Sequence, residues 1–183
     1  MEKEGCVIAR ENRLHVYTGD GKGKTTAAAG LLLRAVGHGR KALVIQFLKD
    51  GHSGEIAALG RLGAQVFPMP APGGFYSRLT EAERLHYAEE TESALPKLAA
   101  FICAAEPDAI LLDELAGALR YGAIRRAAAQ ELIDLCLRYG ETVVTGRNAP
   151  DWLMEEADYC TVMQEIRHPY RTESLAAREG VEW

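Results

Sequence analysis

The sequence predicts an α/β domain built on a mainly parallel central sheet with helices on both faces. Three observations carry that prediction. Short apolar runs of strand length alternate with helix-length segments. The runs are nearly continuously apolar, as strands covered on both faces must be. A glycine- and lysine-rich turn, Gly19-Asp20-Gly21-Lys22-Gly23-Lys24-Thr25-Thr26, joins the first run to the first helix. With 183 residues, 48% of them hydrophobic, the chain can bury one substantial core, so a single domain over residues 14–183 is expected behind a short N-terminal extension, residues 1–13.

The predicted strands, in order, are Leu14 to Thr18, Ala42 to Phe47, Ala64 to Phe67, Ala109 to Leu112, Thr142 to Thr145 and Cys160 to Met163. Ligands of such sheets bind beyond the carboxyl ends of the strands, so chemistry is sought there. The first helix opens at Thr25, where the turn ends. It stops near Gly37-His38-Gly39, because glycine accepts the left-handed turn that closes a helix. Its Ala27-Ala28-Ala29 run permits close approach to the sheet. The longest helical pattern runs from about Thr80 to Ala105 and is expected to bend or break at Pro96. Before it, Pro68 to Tyr76 is too rich in proline and glycine for a ladder and reads as the principal mobile loop.

Composition excludes several classes. Acidic residues outnumber basic ones, 26 to 21, for a formal net charge of −5, and no basic stripe is present, so nucleic acid is not an expected partner. The four cysteines, Cys6, Cys103, Cys136 and Cys160, make neither a C-x-x-C pair nor a metal spacing, which suits a reducing cytoplasm. The five histidines are likewise scattered. No apolar run is long enough to predict a signal peptide or a membrane span.

The turn at 19–26 carries the strongest chemical signal. Glycines at 19, 21 and 23 allow the backbone to curl so that N–H groups converge on an anion, and the helix that follows aims its positive end at the same point. Lys24 adds a full charge, Lys22 a second, and Thr25 a hydroxyl suited to Mg²⁺. This context, strand then loop then helix, predicts a single-domain P-loop NTPase-like fold; a merely glycine-rich turn is the alternative. The loop departs from G-x-x-x-x-G-K-[ST], because Thr18 stands five residues before Gly23 and the loop is one residue short. Two more polar clusters end predicted strands: Asp113-Glu114, whose carboxylates suit Mg²⁺ or a helix start, and Thr145-Gly146-Arg147, whose guanidinium suits phosphate or simply the surface.

Taken together, Tyr17 to Thr26, Arg34 to Gly39, Gln46-Phe47-Leu48-Lys49, Leu112-Asp113-Glu114-Leu115, Thr145-Gly146-Arg147, His168-Pro169-Tyr170 and Gly180-Val181-Glu182-Trp183 resemble the ATP:corrinoid adenosyltransferases of the P-loop type. The resemblance implies transfer of the 5′-deoxyadenosyl group of ATP to Co(I) of a reduced corrinoid (cobalamin, cobinamide or cobyrinic acid diamide), with release of triphosphate. It implies Gly19, Asp20, Gly21, Lys22, Gly23, Lys24, Thr25 and Thr26 around the phosphates, Arg147 on them, and Arg34 on the nucleoside. It further implies Thr25 and Glu114 on Mg²⁺ (or Mn²⁺) with Asp113 in support, and Lys24 and Glu114 at the chemistry. A flavin-type reductase as electron donor and a homodimer follow by the same analogy. The family places an aromatic pair in the loop after the third strand to displace the lower axial base of the corrinoid. Phe75 and Tyr76 stand there, but Ser77 occupies a position where tryptophan is found in the family, so either these two do the wedging, or the corrinoid site differs, or the loop acts on another substrate. Arg34 also reads as an exposed residue near a helix end, and Phe75 as packing. Two rivals share the phosphate loop: a small-molecule kinase or ligase, and an ATP-gated protein that delivers corrinoid without turnover.

Overall fold

The computed structural model describes residues 11–49, 53–74 and 76–181. Six parallel strands form one sheet: β1 (Leu14–Thr18), β2 (Ala42–Gln46), β3 (Gln65–Phe67), β4 (Ala109–Asp113), β5 (Glu141–Thr145) and β6 (Tyr159–Val162), in the spatial order β3-β2-β4-β5-β1-β6. The helices are α1 (Lys24–Gly37), α2 (Gly54–Arg61), α3 (Glu81–Ala105), α4 (Leu115–Arg120), α5 (Arg126–Tyr139), α6 (Asp151–Glu156) and α7 (Pro169–Glu173), with a 3₁₀ turn at Tyr76–Arg78.

Alternation along the strands divides the core into two layers. Ala42, Val44, Ala109, Leu111 and Val143 face α1 and α2, meeting Ala28, Ala29, Leu32, Ile56 and Leu59. Leu43, Ile45, Ile110, Leu112 and Val144 face the other way, against Leu98 and Ile102 of α3, Leu115 of α4, Ile133 and Cys136 of α5 and Leu153 of α6. Both faces are therefore covered, as the continuous apolar runs required.

The expected strands all form, with ends displaced by a residue or so; the third begins at Gln65 and the last spans Tyr159–Val162. Helix α1 opens at Lys24, one residue earlier than expected. Helix α3 starts as a capping box: the Thr80 side chain accepts from the Glu83 amide while the Glu83 carboxylate accepts from the Thr80 amide. It does not break at Pro96, and its helical assignment runs unbroken to Ala105. Buried Tyr87 and Thr91 before the proline, and Leu98 and Ile102 after it, hold the two halves on one core, and that packing outweighs the lost hydrogen bond. Among the described residues, no helix is long and apolar enough to cross a membrane.

Candidate active site

Every strand of the sheet points the same way, so the residues that follow β1, β2, β4 and β5 share one edge. Lys24 and Thr25 arrive there at the start of α1, Asp113 and Glu114 at the end of β4, and Arg147 just past β5. The Lys24 ammonium donates to the carbonyls of Gly19 and Gly21, both at 2.7 Å, and is nearly buried. Burial, followed by the charge of Arg147, pulls its pKa down, while Glu114, Asp20 and Asp113 oppose that shift. Lys24 therefore spans the loop from within, at the point where a phosphate would sit.

The loop is closed from the far side by the residue after β6. The Met163 amide donates to the Thr18 carbonyl and the Met163 carbonyl accepts from the Gly21 amide, each at 2.8 Å. One of the amides read from sequence as part of the anion cradle is thus already engaged. A Cβ at Gly19 would fall 2.3 Å from the Met163 oxygen, and one at Gly21 2.9 Å from the same atom. Lys22 reaches the C-terminal segment, where its ammonium donates to the Val181 carbonyl at 2.8 Å.

Asp113 is completely buried and accepts four hydrogen bonds. Thr25 Oγ1 and Thr145 Oγ1 donate to Oδ1 at 2.8 and 2.6 Å; Gln46 Nε2 and Lys49 Nζ donate to Oδ2 at 3.0 and 2.7 Å. Burial alone would push this carboxyl up, but the Lys49 charge and these donors hold it below its ordinary value. Glu114 is different. It takes a left-handed backbone conformation (φ 59°), with its amide donating to Thr145 Oγ1 at 3.0 Å. Burial, then the Asp113 charge, push its carboxyl up, and Lys49, Lys24 and Arg147 only partly offset that. Gly146 (φ 142°) makes this crowding possible, since a Cβ there would lie 2.6 Å from the Gly117 amide nitrogen.

The structure gives the remaining sequence candidates other partners. Thr26 hydrogen-bonds Glu55 at 2.9 Å and ties α1 to α2. Asp20 lines a shallow cleft with Val162, Gln164, Glu165 and Arg171. Arg34, expected near the nucleoside, lies roughly 15 Å of helix rise beyond Lys24. It lines a cleft of about 510 Å³ with His15, His38, Asp108 and Glu141, where the strands begin. Helix α1 runs back along the sheet and carries Arg34 to the opposite edge, so the structure does not bring it to the phosphate loop. Tyr76 is not presented on a loop. Its ring is buried beside Tyr87 and Tyr121, and its hydroxyl donates to the Tyr121 carbonyl at 3.2 Å, so a wedging role would require it to leave the core. Phe75, its proposed partner, lies outside the described residues, as do residues 1–10 of the N-terminal extension, His52 and Trp183. His168 caps α7 by accepting from the Tyr170 amide at 3.2 Å.

Sequence reasoning passed over Gln46, Lys49 and Thr145 as site residues. The signal was present: a glutamine at the end of an otherwise apolar strand, and a lysine three residues on, both at the ligand edge.

The family described as ATP:corrinoid adenosyltransferase BtuR/CobO/CobP matches residues 10–183. The chain belongs to that family. It is 32% identical to a corrinoid adenosyltransferase of Pseudomonas aeruginosa over 192 aligned positions, covering all of this chain and 93% of that one. A corrinoid adenosyltransferase of Sinorhizobium sp. is 34% identical over 92% of this chain and 78% of its own length, and one of Escherichia coli K12 is 29% identical over 92% and 84%. In this adenosyltransferase Lys24, Thr25 and the loop share one strand edge with the two acids Asp113 and Glu114.

Mg²⁺ takes one or two protein ligands and fills its shell with water and phosphate. Asp113 has its oxygens occupied, whereas the Glu114 carboxyl is pushed up by burial and the Asp113 charge despite Lys49, Lys24 and Arg147, so a further cation would relieve it. Glu114 fits the ion best, with Thr25 beside it. A consequence can be measured. Because the folded protein raises the Glu114 pKa, its contribution to stability is full below the ordinary carboxylate range and is lost as pH rises through the raised value. Glu114→Gln should therefore melt higher than wild type at neutral pH in chelator, by about 2–4 °C per kcal/mol gained, and the gain should fade towards about pH 4. Thermal unfolding across that range checks it; equal melting throughout would show that Glu114 carries no stored strain.

Proposed function

We propose that this chain transfers the 5′-deoxyadenosyl group of ATP to the Co(I) of a reduced corrinoid. The lone pair of Co(I) attacks C5′, the Co–C bond forms as C5′–O breaks, and the electron pair of that bond leaves with triphosphate. The observation that carries the proposal is the pairing of a short phosphate loop, spanned by Lys24, with Asp113 and Glu114 across the same strand edge. Its groups grip and neutralise an anion. Among the described histidines none stands there: His15 and His38 line the opposite edge, His86 pairs with Glu90 on α3, and His168 caps α7. That supports a nucleophile brought by the substrate, for Co(I) needs no general base.

In this reading Lys24, Lys22 and the loop amides bind the triphosphate, and Arg147 neutralises charge as it leaves. Thr25 and Glu114 hold Mg²⁺ or Mn²⁺, with Asp113 orienting Thr25. Held there, such an ion would supply positive charge to the phosphate oxygens. The acceptor is cobalamin, cobinamide or cobyrinic acid diamide, reduced by a flavin-type protein. A homodimer completes the proposal.

The test is incubation with ATP, Mg²⁺ and chemically reduced cobalamin, following the cobalt spectrum and the phosphate product. Adenosylcobalamin with triphosphate supports the assignment. ADP would point to a kinase or ligase, and corrinoid binding with no product under reducing conditions to a delivery protein. Within this scheme Phe75→Ala should spare transfer to pre-reduced Co(I) but slow reactions begun from Co(II), about tenfold or more; equal loss in both assays would assign Phe75 to packing.

A further inference from the structure

The loop after β2 delivers a lysine to the phosphate site by an uncommon route. Leu48 sits at φ 56°, a conformation that a branched side chain adopts only when its surroundings enforce it. Here the Leu48 amide donates to the Tyr87 hydroxyl at 2.8 Å and the preceding Phe47 amide donates to the Asp113 carbonyl at 2.9 Å. The kink turns Lys49 back across the sheet edge. Its ammonium lies 2.7 Å from Asp113 Oδ2 and 3.3 Å from Thr25 Oγ1, bridging the acid at the end of β4 and the hydroxyl at the start of α1. With Gln46, Thr145 and Thr25 it makes four donors on one buried carboxylate, so no oxygen of Asp113 is left for an added ion.

We propose that Lys49 is a resident cation that holds the Thr25 hydroxyl, one of the two ligands assigned above to the divalent ion, against Asp113 until nucleotide arrives, so that the metal enters only together with ATP. This rests on the phosphate-site reading above, though not on the identity of the acceptor. An ammonium and a divalent ion cannot share these oxygens: like charges a few ångströms apart in a largely buried site repel strongly. The arrangement keeps Asp113 neutralised in the empty enzyme, where an unpaired buried carboxylate would be costly. It also selects against the free metal ion, because the metal must displace Lys49, and the triphosphate supplies the alternative anions that an expelled ammonium needs. Lys49 is thus a positioning residue, acting through Thr25 and Asp113.

The test is Mn²⁺ titration followed by its electron paramagnetic resonance signal, in the absence of nucleotide, on the full-length protein. Wild type should bind Mn²⁺ weakly, Lys49→Met at least tenfold more tightly, and Lys49→Arg, which keeps the charge, like wild type. In thermal unfolding Lys49→Met should melt below wild type in chelator and recover with Mn²⁺, while wild type should not respond to the metal alone. Lys49→Gln, which keeps a donor to Asp113 without the charge, is read in the same way should the methionine variant not fold. Tight Mn²⁺ binding by wild type without nucleotide, or equal affinity in wild type and the uncharged variants, would overturn the proposal. Loss of adenosyl transfer to corrinoid with these metal affinities intact would instead count against the acceptor assigned above.

Discussion

Lys24→Ala is expected to lose ATP binding and adenosyl transfer by at least about a hundredfold while remaining folded. Removal of one charged donor from a site built around developing negative charge costs about 2.7–4 kcal/mol, or two to three orders of magnitude in rate. Lys24 should lie at the upper end, because it is nearly buried and its charge is already disfavoured by burial, so a phosphate would relieve the ammonium as much as the ammonium holds the phosphate. Its present partners are the Gly19 and Gly21 carbonyls, which can turn to water when the side chain is truncated. The melting temperature should accordingly move by only a few degrees. Calorimetric titration with Mg·ATP, beside a melting curve, separates the two effects. An unchanged ATP affinity would remove Lys24 from the phosphate site, and a collapse of stability would make it a structural strut of the loop.

Gly19→Ala should be the most damaging conservative change in the loop. Two costs coincide there. The residue has φ 98°, where an L side chain is strained, and its new Cβ would fall 2.3 Å from the Met163 carbonyl oxygen and 2.9 Å from the Met163 nitrogen. Both obstacles are backbone, held by the Thr18–Met163–Gly21 hydrogen bonds, so the strand end must move away from the loop. Strain of this kind costs about 1–3 kcal/mol and overpacking about as much again, giving a loss of roughly 2–6 kcal/mol and a fall in melting temperature of roughly 10 °C. Gly23→Ala is the control. It has a similar φ of 109°, but the nearest atom to its Cβ is the flexible Met163 sulfur at 3.8 Å. It should lose appreciably less stability in denaturant unfolding. Equal losses at the two positions would mean that backbone conformation alone decides the cost, and that β6 can yield.

The candidate site was partly legible because its elements are local. A strand, a glycine-rich turn and a helix opening on Lys24 and Thr25 are contiguous, and the carboxylates of Asp113-Glu114 follow an apolar run; each can be recognised within ten residues or so. Lys49 escaped assignment because nothing within its own stretch shows that Leu48 turns left-handed, and its partner Asp113 is far along the chain. Arg34 and Tyr76 show the converse. Each adjoins a recognisable motif, but one is carried by α1 to the edge where strands begin, and the other is folded under the loop against Tyr87 and Tyr121. Pro96 was read from its local cost, which the packing of α3 outweighs.

By itself the sequence determined the strand–helix alternation, the two covered faces and the chemistry of the ligand edge. Those follow from periodicity and from the rule that parallel strands joined by helices present all their carboxyl ends together. Only the tertiary structure decided who meets whom on that edge. The order β3-β2-β4-β5-β1-β6 places β6 beside β1, so that Met163 closes a phosphate loop one residue short, and places β2 beside β4, so that Lys49 reaches Asp113. Strand order is settled by which buried faces pack best among segments distant in the chain, and no window of local sequence contains that comparison.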